Sequence, residues 1–220
     1  MKLSKYAKLV KQSGSLYLCH VEDSGVWLGT RWGFYKANGL PETVDSDTIM
    51  TILDFDSKAA EKIVVQERDF ETVHDMFGMD LSDDPTPDIE AKKIEVAAVY
   101  KGTFATALLC NDGELVFYDE AQLSPLADVF KESDYVQTVV RVDPAGHRYV
   151  VIRNGFDTEA GIMPVKIVSK EFLGDLSDFQ ARCTEQYFRE ESRAAALAAV
   201  QAAEAETGEQ ATMEGMDDED

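Results

Sequence analysis

Few residues in this sequence are spaced for chemistry. His20, His74 and His147 have no Cys or His neighbour at metal-ligand spacing. Cys19, Cys110 and Cys183 lie far apart and lack a local nucleophile signature. The acids are too many and too scattered to single out a general acid–base pair. The glycines of the stretch Gly29–Gly33 lack the spacing that cradles phosphate. No catalytic residue, metal or cofactor is therefore assigned, and the chain is not expected to be an enzyme. Two other sets of side chains stand out. Trp27, Trp32, Phe34 and Tyr35 could stack on a ligand, although sheet core is the plainer reading of such aromatics. Lys2, Lys5, Lys8 and Lys11 recur every third residue and make one basic helix face, which on its own reads as a solvated face.

Composition narrows the class. In 220 residues, 42 acids against 21 bases leave a net charge of −21, which favours solubility and opposes indiscriminate binding to nucleic acid. Any DNA contact must then be focused on one face. Apolar residues make up 45% of the chain, enough for a real core, and no apolar run is long enough to span a membrane. The start has lysines but no apolar stretch of a secretory signal, and widely spaced cysteines argue for a reducing compartment; a cytoplasmic address is expected.

The elements that must position these residues follow from periodicity. Residues 2–12 predict an amphipathic helix with Leu3, Tyr6, Ala7 and Val10 on its apolar arc and Gly14 at its end. Strands are predicted at 15–23 and 26–37, then a hairpin of strands 48–55 and 61–69. Residues 70–79 read as two helical turns, and 80–90, with Pro85 and Pro87, as a linker. A meander (93–100, 103–110, 113–118) precedes a helix capped by Ser124 with Pro125 in its first turn. A second hairpin (135–143, 147–153) and a closing strand near 159–169 complete the body. The rest is an alanine-rich helix dissolving into an acidic tail.

The two hairpins read as copies. Thr51 matches Thr138, Asp56 matches Asp143, Lys62 matches Arg148, Val64-Val65 match Val150-Val151, and Phe70 matches Phe156. In the second half the order is strand, helix and three strands, closing on Met163-Pro164-Val165-Lys166-Ile167. That order and that ending resemble the half-domain of DNA sliding clamps, the processivity factors of replicative polymerases. The resemblance covers 113–168 best and 1–70 weakly.

The resemblance implies an α+β fold of mostly antiparallel sheets, built from duplicated clamp-like βαβββ units (1–79 and 91–169) joined by the 80–90 linker. A C-terminal helix (170–206) and an acidic disordered tail (207–220) follow. It implies a processivity protein that encircles double-stranded DNA without sequence specificity, tethers a polymerase or other replication proteins, and assembles as a homo-oligomer with no membrane partner. Lys2, Lys5, Lys8 and Lys11 would be the DNA-binding residues. Edge strands near 113–118 and 160–168 would join subunits, and partner peptides would dock near 79–90. Against it, the helix near 125–132 presents Asp128 and Glu132 beside Lys131, and two units make only about one clamp domain. The alternative is an acidic phage-type structural or assembly protein with no DNA contact.

Overall fold

Gly14 adopts a left-handed conformation (φ 66°) and its N–H bonds to the Val10 carbonyl at 2.8 Å, ending α1 (Leu3–Ser13) where the sequence predicts. Helix α1 opens a computed structural model that describes residues 1–100, 102–167 and 169–214. The chain divides into two units, 1–167 and 168–220. The expected segments 1–79 and 80–90 belong to the first, as does 91–169 except for its last two residues.

Ten strands form one mixed sheet in the first unit, an α+β architecture. They are β1 (Ser15–Val21), β2 (Gly25–Thr30), β3 (Gly33–Lys36), β4 (Val64–Phe70), β5 (Ile89–Tyr100), β6 (Thr103–Cys110), β7 (Leu115–Tyr118), β8 (Val136–Val142), β9 (Arg148–Asn154) and β10 (Asp157–Ile162). Their spatial order is β4-β1-β2-β3-β10-β9-β8-β5-β6-β7. Every neighbouring pair is antiparallel except β1 and β4, where Ser15 lies beside Val64 and Val21 beside Phe70.

Both faces are covered. On one, α1 buries Tyr6, Leu9 and Val10 against Leu16, Leu18, Leu28, Val150 and Ile152, and the Tyr6 hydroxyl donates to the Gly29 carbonyl at 2.7 Å. Helix α2 (Ser46–Ile52) and a 3-10 stretch (Glu120–Leu126) that runs into α4 (Ala127–Glu132) complete that layer through Ile49 and Leu126. On the other face Val73, Met76, Met79 and Leu81 cover Cys19, Trp27, Phe34 and Val151. Trp27, Phe34 and Tyr35 are thus core, not a stacking surface; Trp32 is half-buried.

Several expectations need correction. The strand predicted at 48–55 is helix α2. Thr48, Ile49, Thr51 and Ile52 suit a strand, but the Asp45 carboxylate accepts from the Thr48 N–H at 2.8 Å and nucleates a helix that buries Ile49. A second aspartate cap, Asp56, starts α3 (Ser57–Ala60). Strand β4 therefore has no hairpin partner and pairs in parallel with β1, so 51–70 and 138–156 are not two copies of one hairpin. Residues 26–37 form two strands, broken at Arg31-Trp32. Ser124 caps nothing here: Asp119 caps the 3-10 stretch, its carboxylate accepting from the Ala121 N–H at 2.9 Å, and α4 follows from Leu126 with no side-chain cap. Residues 70–79, expected as two helical turns, hold a single 3-10 turn (Val73–Asp75). Strand β10 stops at Ile162, before Met163-Pro164, and runs between β3 and β9, so it is no edge. The β8–β9 hairpin and the β5–β6–β7 meander form as predicted.

The second unit is described by a single helix, α5 (Lys170–Glu214). Residues 207–214, expected as disordered tail, continue it, since alanine, glutamate and glutamine propagate a helix already nucleated. The rest of the expected tail, 215–220, lies outside the described residues.

Candidate functional site

The α1 lysines come to the surface because the helix turns its apolar arc inward. Lys2, Lys5, Lys8 and Lys11 are all exposed, while Tyr6 and Val10 are fully buried. The two ends of the row have acidic company. Lys2 Nζ meets Asp128 of α4 at 2.6 Å, and Lys11 Nζ lies 3.9 Å from Asp56 and 5.6 Å from the Phe55 ring centre. Lys2 lowers the pKa of Asp128 below the ordinary aspartate value by donating that hydrogen bond. Lys5 and Lys8 have no carboxylate within 4.0 Å among the described residues. The centre of the row therefore carries net positive charge, and its ends are compensated.

Helix α1 also touches the second helical stretch directly. The Lys2 N–H donates to the Pro125 carbonyl at 2.6 Å, and the Tyr35 hydroxyl donates to the Gln122 carbonyl at 2.8 Å. Tyr6 and Tyr35 meet edge-to-face beneath them, with ring centres 5.8 Å apart. The two helices thus share one face of the sheet and are bound to each other.

On the opposite face lies a charged network that the sequence reading missed. Arg141 is fully buried in β8, with its Nε 2.6 Å from Asp88 Oδ1. Its terminal nitrogens donate to the carbonyls of Asp80 (2.7 Å), Ser82 (2.9 Å) and Asp84 (2.7 Å). Arg153 of β9 takes the other Asp88 oxygen at 2.6 Å and the Asp83 carbonyl at 2.8 Å. Thr158 completes the clasp by donating its N–H to Asp83 Oδ1 and its hydroxyl to the Ser82 carbonyl. Of the segment 80–90, expected as a linker beside a docking groove, residues 80–88 are therefore a strap held down on the sheet and 89–90 open β5. Two arginines inside strands otherwise rich in valine, with an aspartate-rich segment upstream, were the available signal.

Other features are less organised. Ala91, Leu108, Tyr118, Leu123, Phe130 and Thr138 line a cleft of about 470 Å³ between α4 and the meander, and a Lys93–Glu120 ion pair stands at its rim. A second cleft, of about 790 Å³, is lined by Glu22, Asp23, Glu42, Asp69 and Glu71 beside His20. Among the described residues no set of three His, Cys, Asp or Glu could hold a metal ion. Burial pushes the Cys19 thiol up to about 12 and raises that of Cys110, so both stay protonated and poorly nucleophilic near neutral pH. No described helix is long and apolar enough to cross a membrane. No family model, curated protein or solved structure matches the chain.

Proposed function

We propose that this protein is a clamp-like accessory factor that holds double-stranded DNA through its helical face, without sequence specificity, and tethers a polymerase or another replication protein. One observation carries the reading: the strand order mirrors itself about β3 and β10. On either side of that antiparallel pair run an α–β–β–β series, α1-β1-β2-β3 and α4-β8-β9-β10. Both β2–β3 and β9–β10 turn on two residues, Arg31-Trp32 and Gly155-Phe156. Counted back from those turns, Val26 corresponds to Val150 and Leu28 to Ile152, all facing the helices, while Trp27 corresponds to Val151 on the other side. Across the hairpins the partners also correspond: Leu18 with Thr138, Cys19 with Val139 and His20 with Val140. On this reading the equivalent segments are 3–36 and 127–162, in place of the hairpins matched by sequence alone. The equivalence stops at the outer strands, since β4 is parallel to β1 and β5 antiparallel to β8.

Twin helices on one face give a shared surface for a duplex, and Lys5 and Lys8 supply a modest, sequence-blind attraction for phosphates. Two uncompensated lysines cannot hold DNA tightly alone, so retention depends on several copies enclosing it. The experiment is topological. Clamp-like retention survives high salt on closed circular DNA and is lost on linearisation, whereas ordinary phosphate binding weakens on both, with a slope of about −0.9 per phosphate on a log–log plot. Charge reversal of Lys2, Lys5, Lys8 and Lys11 abolishes retention while leaving the circular dichroism spectrum unchanged. Equal loss from circles and linear molecules refutes the proposal.

A second reading, an acidic structural or assembly protein of phage type, is favoured by the compensated ends of the lysine row. It is also favoured by a β5–β6 ribbon that leaves Val96, Val99 and Phe104 exposed. Open-ended assembly without DNA retention selects it.

A further inference from the structure

Helix α5 carries an apolar stripe that no described residue of its own unit covers. At 100° per residue Leu176, Phe179, Cys183, Tyr187, Ala194 and Leu197 fall within about 80° of arc. The large members are wet: Leu176 is 49% exposed, Phe179 64%, Tyr187 63% and Leu197 62%. A long helix draws most of its stability from packing such a stripe, so these positions call for an occupant.

We propose that the occupant is α5 of a second copy of this chain, running antiparallel and centred between Cys183 and Tyr187. The distribution of bulk favours this arrangement. Large side chains dominate the first half of the stripe and alanines the stretch from Ala194 to Ala199. Antiparallel pairing sets Leu176 of one copy against Ala194 of the other and Cys183 against Tyr187, which keeps the helices evenly spaced. Parallel pairing sets Phe179 on Phe179 and alanine on alanine, which forces the axes apart at one end.

Charge points the same way. Glu190 lies in the stripe, where the Gln186 amide donates to it at 3.0 Å. Parallel pairing in register would set two Glu190 carboxylates face to face in an apolar seam, whereas the antiparallel register sets each against Gln180. That register also brings Arg193 level with Ser177, between Asp175 and Asp178 of the second copy, while parallel pairing opposes Arg193 to itself. The pairing makes no use of the lysine row, so it stands apart from the DNA reading.

The test uses the full chain with Cys183→Ser, Cys19 and Cys110 being buried. Leu176→Cys and Ala194→Cys are placed in separate chains, purified and oxidised alone and as an equal mixture. The expected result is a disulfide-linked dimer in the mixture and none in either chain alone, because like positions would stand about 27 Å apart along the axis. Cross-linking of either variant alone means a parallel pair and overturns the proposal. So does a monomer mass for the unmodified chain in sedimentation at tens of micromolar. Phe179→Glu serves as the second arm: it is expected to halve the sedimenting mass without changing the thermal transition of the sheet unit, and an unchanged mass counts against the stripe.

Discussion

Arg141→Met should be the most damaging single substitution on the strap face. Methionine fills much of the space of the arginine stem but leaves the Asp88 carboxylate, only 12% exposed, with Arg153 alone. It also strands three carbonyls, those of Asp80, Ser82 and Asp84. Breaking one side of a buried ion pair costs about 3–5 kcal/mol, because the remaining charge stays desolvated. Each orphaned carbonyl adds up to about 1–3 kcal/mol where water cannot reach it, although solvent at the edge of the strap will recover part of that. A loss of about 4 kcal/mol is expected, read as a drop in the urea midpoint at constant slope. Arg141→Lys should not rescue it, since an ammonium cannot serve a carboxylate and three carbonyls that are held by a planar fork. Asp88→Asn in the Arg141→Met background should cost less than it does alone, because the two share one interaction. A loss below about 1 kcal/mol in Arg141→Met, or strict additivity with Asp88→Asn, would refute the view that this network fastens the strap.

The pKa values of Asp45, Asp112, Asp128 and Asp143 are lowered in the folded state, mainly by hydrogen bonds from Thr48, Arg148, Lys2 and the His147 N–H respectively. Their stabilisation is complete above the ordinary aspartate value of 3.8 and is lost as pH falls through their lower folded values. Glu159 opposes them, its pKa raised by burial, so its penalty is present above that raised value and lifts as pH falls through it. The net expectation is a urea midpoint that falls as pH drops from the ordinary aspartate value of 3.8 toward the lower folded values, and a midpoint rising over that interval would contradict it. Gly161→Ala would drive a Cβ into Leu81 Cδ2 and to 2.8 Å from Met79 Cε, which should cost about 1–3 kcal/mol and loosen the 79–81 segment. Gly174→Ala, with nothing within 4 Å, is the control, and equal midpoints for the two would show that the segment yields freely.

Short-range chemistry was legible in the chain itself. The lysine row and Gly14 were enough to predict α1, because amphipathic spacing and a left-handed terminator act within a few residues. The β8–β9 hairpin and the β5–β6–β7 meander were legible for the same reason, their turns lying beside the strands they join. Competing local signals misled at 48–55, where β-branched residues suggested a strand and the Asp45 cap made a helix. The internal match misled with it: pairing 51–70 with 138–156 compared a helix and a lone strand with a hairpin.

What tertiary structure alone decided was long-range. Which strand lies beside β1, whether Tyr35 reaches Gln122, and why an arginine can be buried in β8 all depend on groups many positions away. Arg141 and Asp88 are 53 residues apart, and Tyr35 and Gln122 are 87 apart. Such partners leave no periodicity to read, since each is fixed by the layer against which its strand happens to pack. The sequence by itself determined an acidic chain with a basic first helix and a set of antiparallel hairpins. Folding decided that two helices share one face and that residues 80–88 are a strap, because only burial can make an arginine choose a carboxylate and three carbonyls over water.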